Sequence, residues 1–179
     1  MGRQAQIGRA AILESALAIA DDHGLDAVTM HAVAKRLQVT PMALYRHVAG
    51  KAALLDGLVE MLLTEFPLPA RELPWDERLT ALAAGIRATA RRHPGVFPLL
   101  LSRPTVTEAA VHVRDSIYQA LREAGVSETD LGRTERLLST AILGFAVSEA
   151  TGRFRRHDRT VLDGDFAELQ RWLRRLLPP

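Results

Sequence analysis

Cysteine is missing from all 179 residues. That excludes disulfides, thiolate nucleophiles and cysteine-bound metals, and fits a reducing compartment. Lysine is scarce as well: of 23 basic residues only Lys35 and Lys51 are lysine, and 21 acids leave a formal net charge of +2. That charge alone points to no nucleic acid. Aromatic residues make up 5% of the chain, β-branched residues are few, and alanine and leucine are abundant, a balance that predicts an all-α fold. Long apolar runs are missing too. The most apolar stretch, Ala141–Val147, is far too short to span a bilayer, and MGRQAQIGR does not read as a signal peptide. A cytoplasmic protein with no membrane partner is expected. There is no glycine-rich phosphate loop and no G-x-S-x-G elbow, and no two of the six histidines stand at i, i+4. Asp21-Asp22 is read as a solvated turn at a helix end. No catalytic residue, metal or cofactor is expected.

What is present concentrates in Thr29 to Lys51, TMHAVAKRLQVTPMALYRHVAGK. Thr29 can cap a short helix with its hydroxyl, and Val33, Ala34 and Leu37 give that helix one narrow apolar face. The pattern breaks at Gln38-Val39. Thr40-Pro41 then signals a second start, with proline at the first helical position, where its missing N–H costs nothing. This second helix keeps Ala43, Leu44 and Val48 on its apolar side and Met42, Tyr45, Arg46 and His47 on the other. Two short helices joined by a tight turn, the second with an apolar back and a polar front, form a helix-turn-helix. The second helix fits a DNA major groove about 12 Å wide.

This stretch, with the helix before it and ALLDGLVEML after it, resembles the N-terminal DNA-binding domain of the TetR family of transcriptional regulators. Leu44-Tyr45-Arg46-His47-Val48, followed by Lys51, carries the strongest likeness. The resemblance implies DNA contacts from Thr29, His31, Thr40, Pro41, Met42, Ala43, Tyr45, Arg46, His47 and Lys51. Gln38 stands where the family often has glycine, so a left-handed backbone there would cost about 1 kcal/mol. From its first residue through Lys51 the chain carries six Lys/Arg against four acids. So mild a charge makes binding to an isolated half-site weak and dimerisation a requirement. Arg3 and Arg9, flanking the first helix, can reach phosphates or stay solvated.

The remaining chain reads as helices in order, about nine in all, with a headpiece over residues 1–50 and an effector-binding and dimerisation domain over 51–179. Gly8 to His23 is the first helix, ended by Gly24. Lys51 to Phe66 is apolar over more than one face. Pro67, Pro69 and Pro74 break the chain before a helix from Trp75 to Arg92. VFPLLLSRP is interrupted by Pro98 and stopped by Pro104, and is the hinge candidate. Thr105 to Ala124, a helix starting near Ser127 and running to about Arg153, and a last helix capped by Asp165 follow. The RFRRHDR loop between the last two is read as solvated.

Met61, Phe66, Ile86, Phe97, Leu100, Leu101, Val113, Ile117, Ile142 and Phe145 are candidates to surround a small-molecule pocket. Ser102, Arg103, Thr107, His112 and Glu149 are its candidate polar anchors. Leu137, Ala141, Gly144, Phe166, Leu169, Trp172, Leu173 and Leu176 are expected to pair with a second copy in a four-helix interface. Two-fold symmetry would then present two recognition helices to a pseudopalindromic operator. LLSRP followed by a long helix is most similar to the tetracycline-repressor-like branch. Those proteins carry a magnesium-binding histidine where Leu99 stands here, so an apolar or amphipathic organic effector is expected instead. The function expected is a ligand-released homodimeric repressor; the alternative is a helical protein-interaction module of the same shape that does not recognise DNA.

Overall fold

The computed structural model describes residues 7–103 and 107–178. Arg3, Pro104 and Thr105, which figure in the expectations above, lie outside that range. Among the described residues there are nine α-helices and no strand: α1 Arg9–His23, α2 Met30–Arg36, α3 Pro41–Tyr45, α4 Lys51–Thr64, α5 Trp75–Arg92, α6 Leu99–Ser102, α7 Glu108–Glu123, α8 Leu131–Ala150 and α9 Arg159–Arg175. None of them is long and apolar enough to cross a membrane. Over the same residues the chain divides into two compact units, Met1–Leu62 with Gly95–Thr105 and Leu63–Pro94 with Val106–Pro179. The division falls inside α4, so most of that helix packs with the headpiece.

In the first unit, α1 buries Ile12, Leu13, Ala16, Leu17, Ile19 and Ala20 and stops at Gly24, whose N–H donates to Ala20 O. Thr29 Oγ1 accepts the Ala32 N–H at 3.0 Å, which caps α2 as its sequence predicts. α3 begins at Pro41 after Thr40, whose hydroxyl makes no capping bond. Between the two helices Gln38 has φ +57°, the left-handed conformation expected there. Val28, Val33, Leu44, Leu54, Leu58 and Val59 are fully buried; each such side chain contributes about 1.5–3 kcal/mol of hydrophobic burial. The hinge candidate also belongs to this unit. Gly95 lies so close to the end of α1 that a Cβ would meet Ala20 O at 2.8 Å, and Val96 and Phe97 are fully buried.

The second unit is built on α5, which packs chiefly against α8 and α7. Leu121, Ala124, Val126, Leu131 and Leu177 form one buried cluster, with Trp75, Leu79, Ile117 and Leu138 against it. Two expected starts are corrected. The last helix begins at Arg159 after Asp158, not at Asp165, because Leu162 and Phe166 already sit on its buried face. The preceding helix begins at Leu131; Ser127 Oγ instead donates to Asp130 Oδ2 at 2.8 Å in the turn before it.

Candidate nucleic-acid interface and effector cavity

On the exposed side of α3 several of the expected contacts gather on one short rod. Leu44 at 0% and Val48 at 4% exposure anchor its back. Met42 at 72% and Tyr45 at 50% stand out in front, together with Arg46 and His47. Arg46 and His47 lie in the turn closing α3, where the His47 N–H donates to Leu44 O at 2.9 Å. Pro41 and Ala43 are half-buried, while Thr40 and His31 are exposed. Thr29 is exposed; its hydroxyl oxygen accepts the capping N–H of α2, so toward a phosphate oxygen it acts as an O–H donor. Lys51 is exposed and opens α4. Arg9, offered as a phosphate contact, is paired with Glu60 at 2.8 Å. Lys35 is a further exposed cation, on α2, that the helix-turn-helix pattern did not single out.

The second unit holds a cavity of about 80 Å³ between α5, α7, α8 and α9. Its wall is mostly apolar, with Trp75, Leu79, Leu82, Ala83 and Ile86 from α5, Ile117 from α7, Leu138 and Ile142 from α8, Leu173 from α9 and Leu177 beyond that helix; Asp76, Thr80, Ser139, Gln170 and Arg174 are its polar members. Of the expected pocket residues only Ile86, Ile117 and Ile142 line it. Phe66 and Val113 are buried in the same unit without lining it. Phe145 is turned toward Phe154 and Phe166, with ring centres 5.4 and 5.2 Å away. Met61, Phe97, Leu100, Leu101 and Ser102 belong to the first unit. Trp75, Leu79, Leu138 and Leu177 were missed because a stripe at helical spacing does not say which of its members border a void.

The expected anchors are already engaged. Ser102 Oγ donates to Leu99 O at 3.3 Å. Arg103 pairs with Asp56 and donates to Ala52 O. Thr107 caps α7, and His112 stands 3.9 Å from Glu108 on the surface. Glu149 is the hub of an ion-pair cluster. Arg87 donates to it through Nε at 2.6 Å and Nη2 at 2.9 Å, and Arg91 through Nε at 3.0 Å and Nη2 at 2.7 Å. Asp163 pairs with the same two arginines. Burial pushes the Glu149 carboxyl up, but the hydrogen bonds and charges of Arg87 and Arg91 outweigh it and hold it below the ordinary glutamate range.

Of the residues expected to meet a second copy, Leu137 at 64%, Trp172 at 59% and Leu176 at 79% are exposed. Ala141, Gly144 and Leu169 are half-buried, and open space lies where a Gly144 Cβ would point. Phe166 and Leu173 are corrections. Phe166 is 4% exposed and lies against Phe145 with the Arg87 guanidinium 4.6 Å over its ring, while Leu173 faces the cavity.

Residues 12–58 match the family described as bacterial regulatory proteins, tetR family, and residues 79–171 match the tetracyclin repressor-like C-terminal domain. The chain belongs to the TetR family. Among TetR-family relatives, the transcriptional repressor DrrR1 of Streptomyces coeruleorubidus is 30% identical over 77% of this chain. This chain spans 52% of that protein's length and 61% of the length of an HTH-type regulator from Saccharopolyspora erythraea. BioQ, solved with its double-stranded DNA operator, is 29% identical with a TM-score of 0.73, over 91% of this chain and 99% of BioQ. ActR of Streptomyces coelicolor, solved with actinorhodin, is 25% identical with a TM-score of 0.77, over 83% of this chain and 70% of ActR.

Proposed function

We propose that this TetR-family chain is a cytoplasmic, homodimeric transcriptional repressor that binds a pseudopalindromic operator and is released from it by a small organic molecule. The observation that carries the reading is the front of α3. Met42, Tyr45, Arg46 and His47 are all exposed on one rod whose back is locked by buried Leu44 and Val48. Side chains that face the groove specify sequence, and cations that flank it hold the protein on the phosphates. Met42 and Arg46 are the sequence readers in this reading; Tyr45 and Lys51 hold phosphates. BioQ, of the same fold, is bound to an operator, which supports a DNA partner here.

The dimer forms through the exposed apolar residues of α8 and α9, chiefly Leu137 and Trp172, together with Leu176. It sets two α3 helices about one DNA turn apart. The apolar cavity on α5, α7, α8 and α9 takes the effector; ActR's complex with actinorhodin supports a small-molecule role for this domain. The headpiece occupies residues 1–50 and the effector and dimer domain 51–179. No catalytic step belongs to this function.

The test is selection of duplexes from a random pool by the purified full chain at low salt. An enriched inverted repeat is expected. No enrichment above that of an Arg46→Ala, Tyr45→Ala double variant overturns the proposal.

A further inference from the structure

We infer that the effector is an amphipathic organic acid, held by its anionic head in an arginine-lined groove between α5 and α9 and by its hydrocarbon body toward the apolar cavity. The groove has a volume of about 450 Å³ and is lined by Arg87, Arg91, Arg92, Arg159, Phe166, Ala84 and Ala88, with no acid among them. The acids that balance these cations lie outside the lining: Glu149 and Asp163 hold Arg87 and Arg91, and Glu65 stands 3.3 Å from Arg92. The Arg159 guanidinium has neither an ion pair nor a hydrogen bond among the described residues. A guanidinium left with open donors beside an apolar floor recognises a carboxylate or phosphate in a fork-to-fork geometry.

The floor explains the rest of the ligand. Ala84 and Ala88 are exposed in the groove, and Phe166, 4% exposed beneath the Arg87 guanidinium, closes it with apolar surface. The cavity begins next to them. Ala84 lines the groove and Ala83 the cavity, and Phe166 and Gln170, one helical turn apart on α9, belong to the groove and the cavity respectively. A head-and-tail molecule laid along this seam therefore meets cations at one end and hydrocarbon at the other. Near the junction Gln170 Nε2 donates to Thr80 O at 3.1 Å, and farther along the cavity Arg174 pairs with Asp76 at 2.8 Å, bonds between surface groups that water can replace as the tail enters. The cavity at 80 Å³ is smaller than the roughly 150 Å³ void that accepts benzene, so a slender tail suits it better than a fused ring system.

The inference rests on reading the second unit as an effector sensor, but its test needs no DNA. Octanoate, octanol and acetate are titrated into the full chain by calorimetry. Octanoate is expected to bind at least about tenfold more tightly than either the uncharged alcohol or the tailless acid, and Arg159→Gln to weaken octanoate about tenfold while leaving octanol unchanged. Arg159 is exposed, so the variant folds; its thermal transition confirms that. Octanol binding as tightly as octanoate, an Arg159→Gln protein with unchanged octanoate affinity, or no octanoate binding at all would each overturn the inference. A chain that binds octanoate as expected yet ignores every duplex would instead refute the repressor reading alone.

Discussion

Replacing Glu149 by glutamine tests whether the ion-pair cluster of α5, α8 and α9 is a structural keystone. The carboxylate is 9% exposed and accepts four hydrogen bonds, two from each of Arg87 and Arg91. Glutamine keeps the shape but turns an amide N–H₂ toward a guanidinium that is itself only 8% exposed. Removing one partner of a buried pair costs about 3–5 kcal/mol. Asp163 remains on both arginines, and Arg91 is a third exposed and partly screened, so the expected loss is about 2–3 kcal/mol. For a chain of this size that lowers Tm by roughly 4–12 °C.

The sign with pH follows from the lowered carboxyl. The parent's extra stability is complete above the unfolded glutamate value, about 4.3, and is lost as pH falls from there through the folded value. The glutamine variant lacks that component at every pH, so the two stability curves converge in acid. Urea unfolding of both proteins between neutral and acid pH reads this directly. A variant as stable as the parent at neutral pH, or a gap that does not narrow in acid, refutes the reasoning. Glu128→Gln, which breaks an exposed pair with Arg122, is the control and leaves the urea midpoint in place.

Gln38→Gly should stabilise the chain by about 0.5 kcal/mol. Relief of a left-handed φ is worth about 1 kcal/mol, partly offset by the greater freedom of glycine in the unfolded chain; a fall in the urea midpoint would contradict this. Lys51→Ala should lower the slope of log affinity against log salt by about one unit for every duplex, whereas Arg46→Ala should change which duplexes are preferred. Fluorescence anisotropy on selected and scrambled duplexes distinguishes the two. Trp172→Ser with Leu176→Ser should shift sedimentation from dimer to monomer while leaving the helical circular-dichroism signal intact; a dimer that persists would place the interface elsewhere.

The parts legible in the sequence are those decided within one or two turns. Thr29 caps α2 through a bond three residues away, Pro41 opens α3, and Gln38 is forced left-handed by the turn between them. The fronts and backs of these short helices follow from spacing alone. The second domain was legible as helices and much less so as a site. A stripe such as Phe166, Leu169, Trp172, Leu173 and Leu176 is apolar whichever neighbour it meets. The fold divides it, with Phe166 and Leu173 facing inward and Trp172 and Leu176 outward. Glu149 was read as a candidate ligand anchor because its partners, Arg87 and Arg91, lie 62 and 58 residues earlier. No local pattern announces a pairing of that length.

The first unit is sewn from two pieces of chain, and the second piece arrives late. Val96 and Phe97 take their places only after all of α5 has been made. During synthesis the headpiece therefore waits, missing two interior side chains, until the ribosome has passed well beyond it. A gene fragment ending after α4 would encode a headpiece with a hole where Phe97 belongs. Grafting this headpiece onto a foreign sensor would require carrying the Gly95 segment along with it.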